Sequence, residues 1–246
     1  LDMSVKDMAQ AGKATPYDVV VSGHLSHVLS GGEDADMTRE MSEQDILDLG
    51  VDCLRQQAPL NDPKAIDKLF SAIDKRFGKL DILVNNAAFG VMRPATTLKL
   101  KHWAWTLETN TRAPWLCAIA ASKLMRQGGK IINITSPGST RVLKNYSAVG
   151  VSKAALEALT RYLAIELAHL NIGVNAVSAG YVLTNALNAF PNEQEAFKRA
   201  NTPTPAGRIV EPEDVAGVVA FLCEDRAEMI RGQVLLVDGG RTIVQE

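Results

Sequence analysis

Residues 145 to 153 read NYSAVGVSK, which places Tyr146 and Lys153 seven positions apart. On a helix that is roughly two turns, so a phenol and an ammonium would return to nearly the same face. Together they are a candidate proton-transfer pair. Ser136, ten positions before the tyrosine in NITSPGS, adds a hydroxyl. A serine activated by a phenolate and a lysine is a known way to make a nucleophile, so an ester hydrolase needing no cofactor is one reading of the three. The plain alternative is a surface tyrosine, a solvated helix lysine and a serine that caps the turn made by Pro137 and Gly138. His24 and His27 stand three apart but lack a carboxylate or cysteine companion, so no metal site is expected.

The elements that must position these groups follow from periodicity. In AIDKLFSAIDKRFG, Ile66, Leu69, Phe70 and Ile73 form one stripe and Gly78 ends it, which predicts an amphipathic helix. LDILVNNAA then reads as a buried strand, and KHWAWTLETNTRAPWLCAIAASKLM as helical up to Gly128 and Gly129. KIINITS is a strand, VSKAALEALTRYLAIELAHL a long helix, IGVNAVSAG a strand, EPEDVAGVVAFLCED a helix opened by Pro212, and GQVLLVDGG a last strand. Such alternation predicts an α/β protein of the Rossmann-like, doubly wound type, with ligands at the carboxyl ends of parallel strands.

The first 55 residues are expected to differ. Tyr17, Val20, Val21, His24, Leu25, Val28 and Leu29 fall at helical spacing after Thr15 and Pro16, and Ser42 with Asp45 resembles a capping box. The expectation is an atypical, helical N-terminal segment over 1–55 and a catalytic domain over 56–246.

Composition narrows the function. The 246 residues carry a formal charge of −2, with no basic surplus for nucleic acid. No apolar run approaches the roughly 20 residues of a membrane span. Three scattered cysteines, Cys53, Cys117 and Cys223, support neither a disulfide framework nor a zinc site, and a reducing cytoplasm is the expected location. The tryptophans Trp103, Trp105 and Trp115 read as packing residues. Phe89, Met92, Tyr181, Leu187 and Phe190 stand near strand ends or in the following loop.

From about residue 55 onward, NNAAFG (85–90), TNTRAP, NITSPGS, NYSAVGVSKAALEALTRYLA, NAVSAGYVLT, TPAGR and IRGQVLLVDGG together resemble the short-chain dehydrogenase/reductase family, closest to its FabL-like enoyl-acyl-carrier-protein reductases. In ordinary members the tyrosine stands four residues before the lysine, where this chain has Val149; Tyr146 has the spacing of enoyl reductases. The resemblance implies that Tyr146 donates to the thioester enolate oxygen. It implies that Lys153 makes the phenol a stronger donor and holds the nicotinamide ribose, that Asn110 supports a proton-conducting water, and that Ser136 orients substrate. Asn86 and Ala87 would line the wall beside the adenosine ribose, and Val182 and Thr184 would grip the cofactor carboxamide. The implied cofactor is NADP or NAD, the substrate an acyl thioester, the assembly a homodimer or homotetramer.

The family's opening glycine-rich loop is missing: after Ser22 and Gly23, His27 and Leu29 occupy the remaining glycine positions. Pro59 replaces the acidic residue that often holds the adenine. Residues 1 to about 50 instead resemble the helical C-terminal tail of bacterial hydroxyacyl-CoA dehydrogenases, so the chain reads as two lipid-metabolism pieces joined near Cys53. A reductase, a cofactor-free Ser-Tyr-Lys hydrolase acting on a small ester and a non-catalytic relative all remain open at this point.

Overall fold

The computed structural model describes Val19–Ser22, Cys53–Gln56, residues 62–182 and residues 193–244. Six parallel strands form one sheet in the order β2-β1-β3-β4-β5-β6. They are β1 (Val19–Ser22), β2 (Cys53–Gln56), β3 (Ile82–Asn85), β4 (Gly129–Thr135), β5 (Ile172–Ala179) and β6 (Val234–Val237). The helices α1 (Pro63–Phe77), α2 (Leu100–Leu107), α3 (Ala113–Ser122), α4 (Ser147–Glu166), α5 (Glu193–Asn201) and α6 (Pro212–Cys223) connect them.

The α1 helix forms where its stripe requires. Asp62 caps it by accepting from the Lys64 amide, Pro63 opens it, and Gly78 closes it at φ 71° while donating to Asp74 O. Its buried residues are Ile66, Leu69, Phe70 and Ile73, the four of the sequence stripe. Packed on the same face of the sheet are α3 and the lower half of α4, with Cys117, Ala121, Ile131, Leu163 and Val174 in one core. The opposite face holds α6, whose Val215, Val219 and Leu222 meet Ile132, Ile134 and Val177 in a second core. Thus β4 sends Ile131 to one core and Ile132 and Ile134 to the other, as the period of two in a strand requires.

Two expectations are corrected. The run Val19–Ser22 is a strand rather than part of a helix, paired in parallel with β2 on one side and with β3 on the other, Val19 opposite Cys53 and Ile82. Three consecutive β-branched valines favour the extended chain, and two ladders satisfy their backbone groups on both sides. The rest of the helix expected over Tyr17 to Leu29 lies outside the described residues. Cys53–Gln56 is likewise a strand, so the N-terminal segment gives the sheet two strands at one edge. The helix expected after Ser42, together with His24 and His27, lies outside the described residues.

The helical stretch after Lys99 is also interrupted, since α2 passes into α3 through a π-helical segment, Glu108–Arg112, in which Glu108 and Arg112 pair. Trp105 and Trp115 are 42% and 45% exposed, so they are surface residues on α2 and α3 and not core packing. Their neighbours in exposure are Ile119 on α3 and Val151, Tyr162 and Ile165 on α4.

Candidate active site

Three strands deliver the expected residues to one edge of the sheet. Asn86 and Ala87 follow the end of β3, Ser136 follows β4, and Val182 follows β5, where it bridges Val210. Asn86, Ala87 and Val182 are buried. Thr184, Leu187 and Phe190 lie outside the described residues.

The residues that could do chemistry converge on the end of β4. Asn145, in the left-handed conformation at φ 62°, turns the chain so that Tyr146 stands at the N-terminus of α4. Asparagine is among the few side-chain-bearing residues that accept that geometry readily. The Tyr146 hydroxyl lies 3.3 Å from Ser136 Oγ. Lys153, two turns along, is 5% exposed and donates from Nζ to the Ile134 carbonyl oxygen at 2.7 Å. Phenol and ammonium therefore reach polar groups two residues apart at one strand end.

Burial acts on both groups. It pushes the Tyr146 phenol above its usual range, opposed by the Ser136 hydrogen bond and reinforced by Tyr181. The resemblance implied that Lys153 strengthens the phenol as a donor; what acts on the phenol here is burial, Ser136 and Tyr181, and Lys153 is not among these influences. Burial also lowers the Lys153 ammonium to about 8, against the pull of Glu157. An amine in that range exchanges its proton close to neutrality.

Asn110 is fully buried in the π-helical segment, and its side chain is committed. Its Oδ1 accepts from the Phe89 amide at 2.7 Å, and its Nδ2 donates to Phe89 O at 2.8 Å and to Ser152 Oγ at 2.9 Å. The side chain thus braces the loop after β3 against α4, next to Lys153 in the chain. Both donors of its side-chain amide are thereby committed to protein partners.

Several participants were not singled out from sequence. Gly138 is one: a Cβ there would meet Tyr146 Cε1 at 2.5 Å. Gly90 is another, because a Cβ would stand 2.3 Å from Val149 Cγ2. The position where ordinary family members carry their tyrosine is therefore filled by a buried valine wedged against the loop after β3. A polar stripe accompanies the pair. Asn85 donates to Asn133, Asn133 to Thr160, and Thr135 to Glu157 at 2.8 Å, all buried. The legible signal was the spacing on α4: Lys153, Glu157 and Thr160 share the face that Tyr146 begins.

Other chemistry is poorly served. The thiols of Cys117 and Cys223 are buried and pushed up to about 12, which removes them as neutral-pH nucleophiles. Among the described residues no group of three His, Cys, Asp or Glu could hold a metal ion, and no helix is long and apolar enough to cross a membrane.

A parallel sheet flanked by helices, with a tyrosine, a serine and a lysine meeting at the carboxyl end of one central strand, defines an α/β protein with its site at the strand ends. Residues 34–242 match the family described as enoyl-(acyl carrier protein) reductase, and the chain belongs to that family, within the short-chain dehydrogenase/reductases. It is 35% identical over 189 residues to the NADH enoyl-(acyl-carrier-protein) reductase of Synechocystis sp., covering 75% of this chain and 73% of that protein. It is 36% identical over 194 residues to the NAD-dependent glycerol dehydrogenase of Listeria innocua, covering 77% and 75%. The crystal structure of an Anaplasma phagocytophilum enoyl-(acyl-carrier-protein) reductase in complex with NAD superposes with a TM-score of 0.79 at 26% identity, over 100% of this chain and 90% of that one.

Proposed function

We propose that the protein is a nicotinamide-dependent reductase of enoyl thioesters. The observation that carries this reading is the Tyr146 hydroxyl at 3.3 Å from Ser136 Oγ, on a tyrosine seven residues before a buried lysine. The similarity to an enoyl reductase supports it; the similarity to a glycerol dehydrogenase shows that kindred chains act on alcohols too.

The residues present fit the nicotinamide half of such a cofactor. An ammonium has three donors, and Ile134 takes one from Lys153, which leaves others for a ribose diol. Asn86, Ala87 and Val182 stand at the neighbouring strand ends, with Thr184 further along the chain. The segment from Gly23 to Leu29, which would meet the pyrophosphate, lies outside the described residues. When bound, NADH or NADPH supplies a hydride.

The chain's own groups then have defined tasks. Tyr146 donates its hydroxyl hydrogen toward the acyl oxygen that gathers negative charge, and a phenol held neutral by burial still carries that proton at neutral pH. Ser136 Oγ fixes the direction of the phenol. The Lys153 ammonium adds positive charge and donors at the same strand end. Asn110 holds Phe89 and Ser152, and so the walls on either side. The unit spanning 56–246 works with two strands from the N-terminal segment, and the exposed Trp105, Trp115, Ile119, Val151 and Ile165 suit a homodimer or homotetramer.

Purified protein is assayed for consumption of NADH and of NADPH with a crotonyl thioester. Reduction is expected with one of the two, falling about 10²-fold or more in Tyr146→Phe. Ester hydrolysis without nucleotide, lost in Ser136→Ala, together with no thioester reduction, would overturn the proposal.

A further inference from the structure

Three consecutive residues at the end of β4 each receive one side chain from α4. Ile134 O accepts from Lys153 at 2.7 Å, Thr135 Oγ1 donates to Glu157 Oε1 at 2.8 Å, and Ser136 Oγ meets Tyr146 at 3.3 Å. Two of these pairs are the proposed catalytic groups; the middle one has no role so far.

Glu157 is 7% exposed, and burying a carboxylate costs free energy unless a charge or several donors compensate. Thr135 alone does not explain why the residue is an acid, since a glutamine would accept the same hydrogen bond. What a carboxylate has and an amide lacks is charge. Lys153 is one helical turn earlier on the same face and equally buried, so the two side chains lie along one stripe against β4, one anchored to Ile134 and the other to Thr135.

The remaining groups near this end of α4 do not take Glu157's place. β4 presents the neutral Ile134 carbonyl and Thr135 hydroxyl, and the π-helical segment presents Asn110, while its Glu108 and Arg112 pair with each other. Tyr146 keeps its proton at physiological pH, because burial pushes the phenol above its usual range. Glu157 is the charged group that favours the Lys153 ammonium, against desolvation.

We propose that Glu157, steered by the Thr135 hydroxyl, is a positioning residue that keeps Lys153 protonated at the end of β4. The inference rests on the reductase reading for its purpose, since a charged lysine is what the developing acyl charge needs. The placement of the two side chains on one buried stripe is independent of that reading.

The test uses the full-length protein labelled with 13C at the lysine side chains, titrated by NMR without nucleotide or substrate. In Glu157→Gln, which keeps an acceptor for Thr135, the Lys153 titration is expected to move down by about one pH unit or more. The alkaline limb of kcat/KM for thioester reduction should move with it, and Glu157→Asp should restore both in part. A Lys153 titration unchanged in Glu157→Gln would overturn the inference. Should that variant not fold, Glu157→Asp gives a second route: its shorter carboxylate stands further from the ammonium, so the Lys153 titration moves down in part if the two interact and stays put if they do not. Absence of any thioester reduction in the wild type would sink the proposed function alone, because the titrations need no turnover.

Discussion

Tyr146 sits so close to Gly138 that a Cβ there would stand 2.5 Å from Cε1 and 2.7 Å from Cδ1 of the ring. The glycine is thus a steric condition for the phenol to reach Ser136. In Gly138→Ala the ring must swing aside while the two cores, both remote from this turn, stay packed. Displacements of about 1 Å at a reacting group can cost on the order of 10²-fold, so kcat/KM for thioester reduction should drop by roughly that factor with a melting temperature near wild type. Wild-type activity in the variant would show that the ring's position is not set here.

The Lys153 ammonium makes stability depend on pH in a stated direction. Its proton leaves at about 8 in the fold against an ordinary 10.5, so between those values the unfolded chain binds more protons. Stability contributed by this residue therefore rises with pH across that window, by up to roughly 3 kcal/mol at full relief of the buried charge. Urea midpoints measured at several pH values should show a rise in wild type that is missing in Lys153→Met. Equal slopes would contradict burial as the cause of the shift.

Asn110 is expected to matter more for stability than its neighbours in the π-helical segment. Asn110→Ala strips the buried Phe89 amide and carbonyl of their partners and leaves Ser152 without a donor, at a cost of about 2–4 kcal/mol if two of these go unsatisfied. Chemical denaturation reads this directly. A loss below about 1 kcal/mol would mean that water replaces the amide without strain.

Moving the tyrosine to the spacing of ordinary family members should fail. Val149 is 6% exposed and fits against Gly90 so closely that neither can grow. The double variant Tyr146→Phe with Val149→Tyr is expected to be no more active than Tyr146→Phe alone, and less stable by about 1–3 kcal/mol from overpacking. Recovered activity would show that the loop at Gly90 can open and that the upstream tyrosine is only one solution.

Much of this architecture could be read from residue order because it depends on local periodicity. The α1 stripe, its Gly78 terminus and the Pro212 start of α6 are where the spacing placed them, since a helix that buries one face against a sheet has few registers available. Val19–Ser22 was misread because four residues cannot distinguish a period of 2 from one of 3.6 when every position is apolar or small; strand partners 34 and 63 residues away in the chain decide it. The break in helical geometry at Glu108–Arg112 left no mark in composition, because it answers to the bonds that Asn110 makes with Phe89 and Ser152.

What the order of residues determined alone was the alternation of strands and helices and the placement of Tyr146 and Lys153 on one side of one helix. Both are properties of a chain with itself at short range. Tertiary structure decided that Lys153 is desolvated, that Glu157 meets the Thr135 hydroxyl of β4, and that Gly138 makes room for the phenol. Those facts depend on which strand end lies under the helix, and proximity between distant segments is created only when the sheet closes.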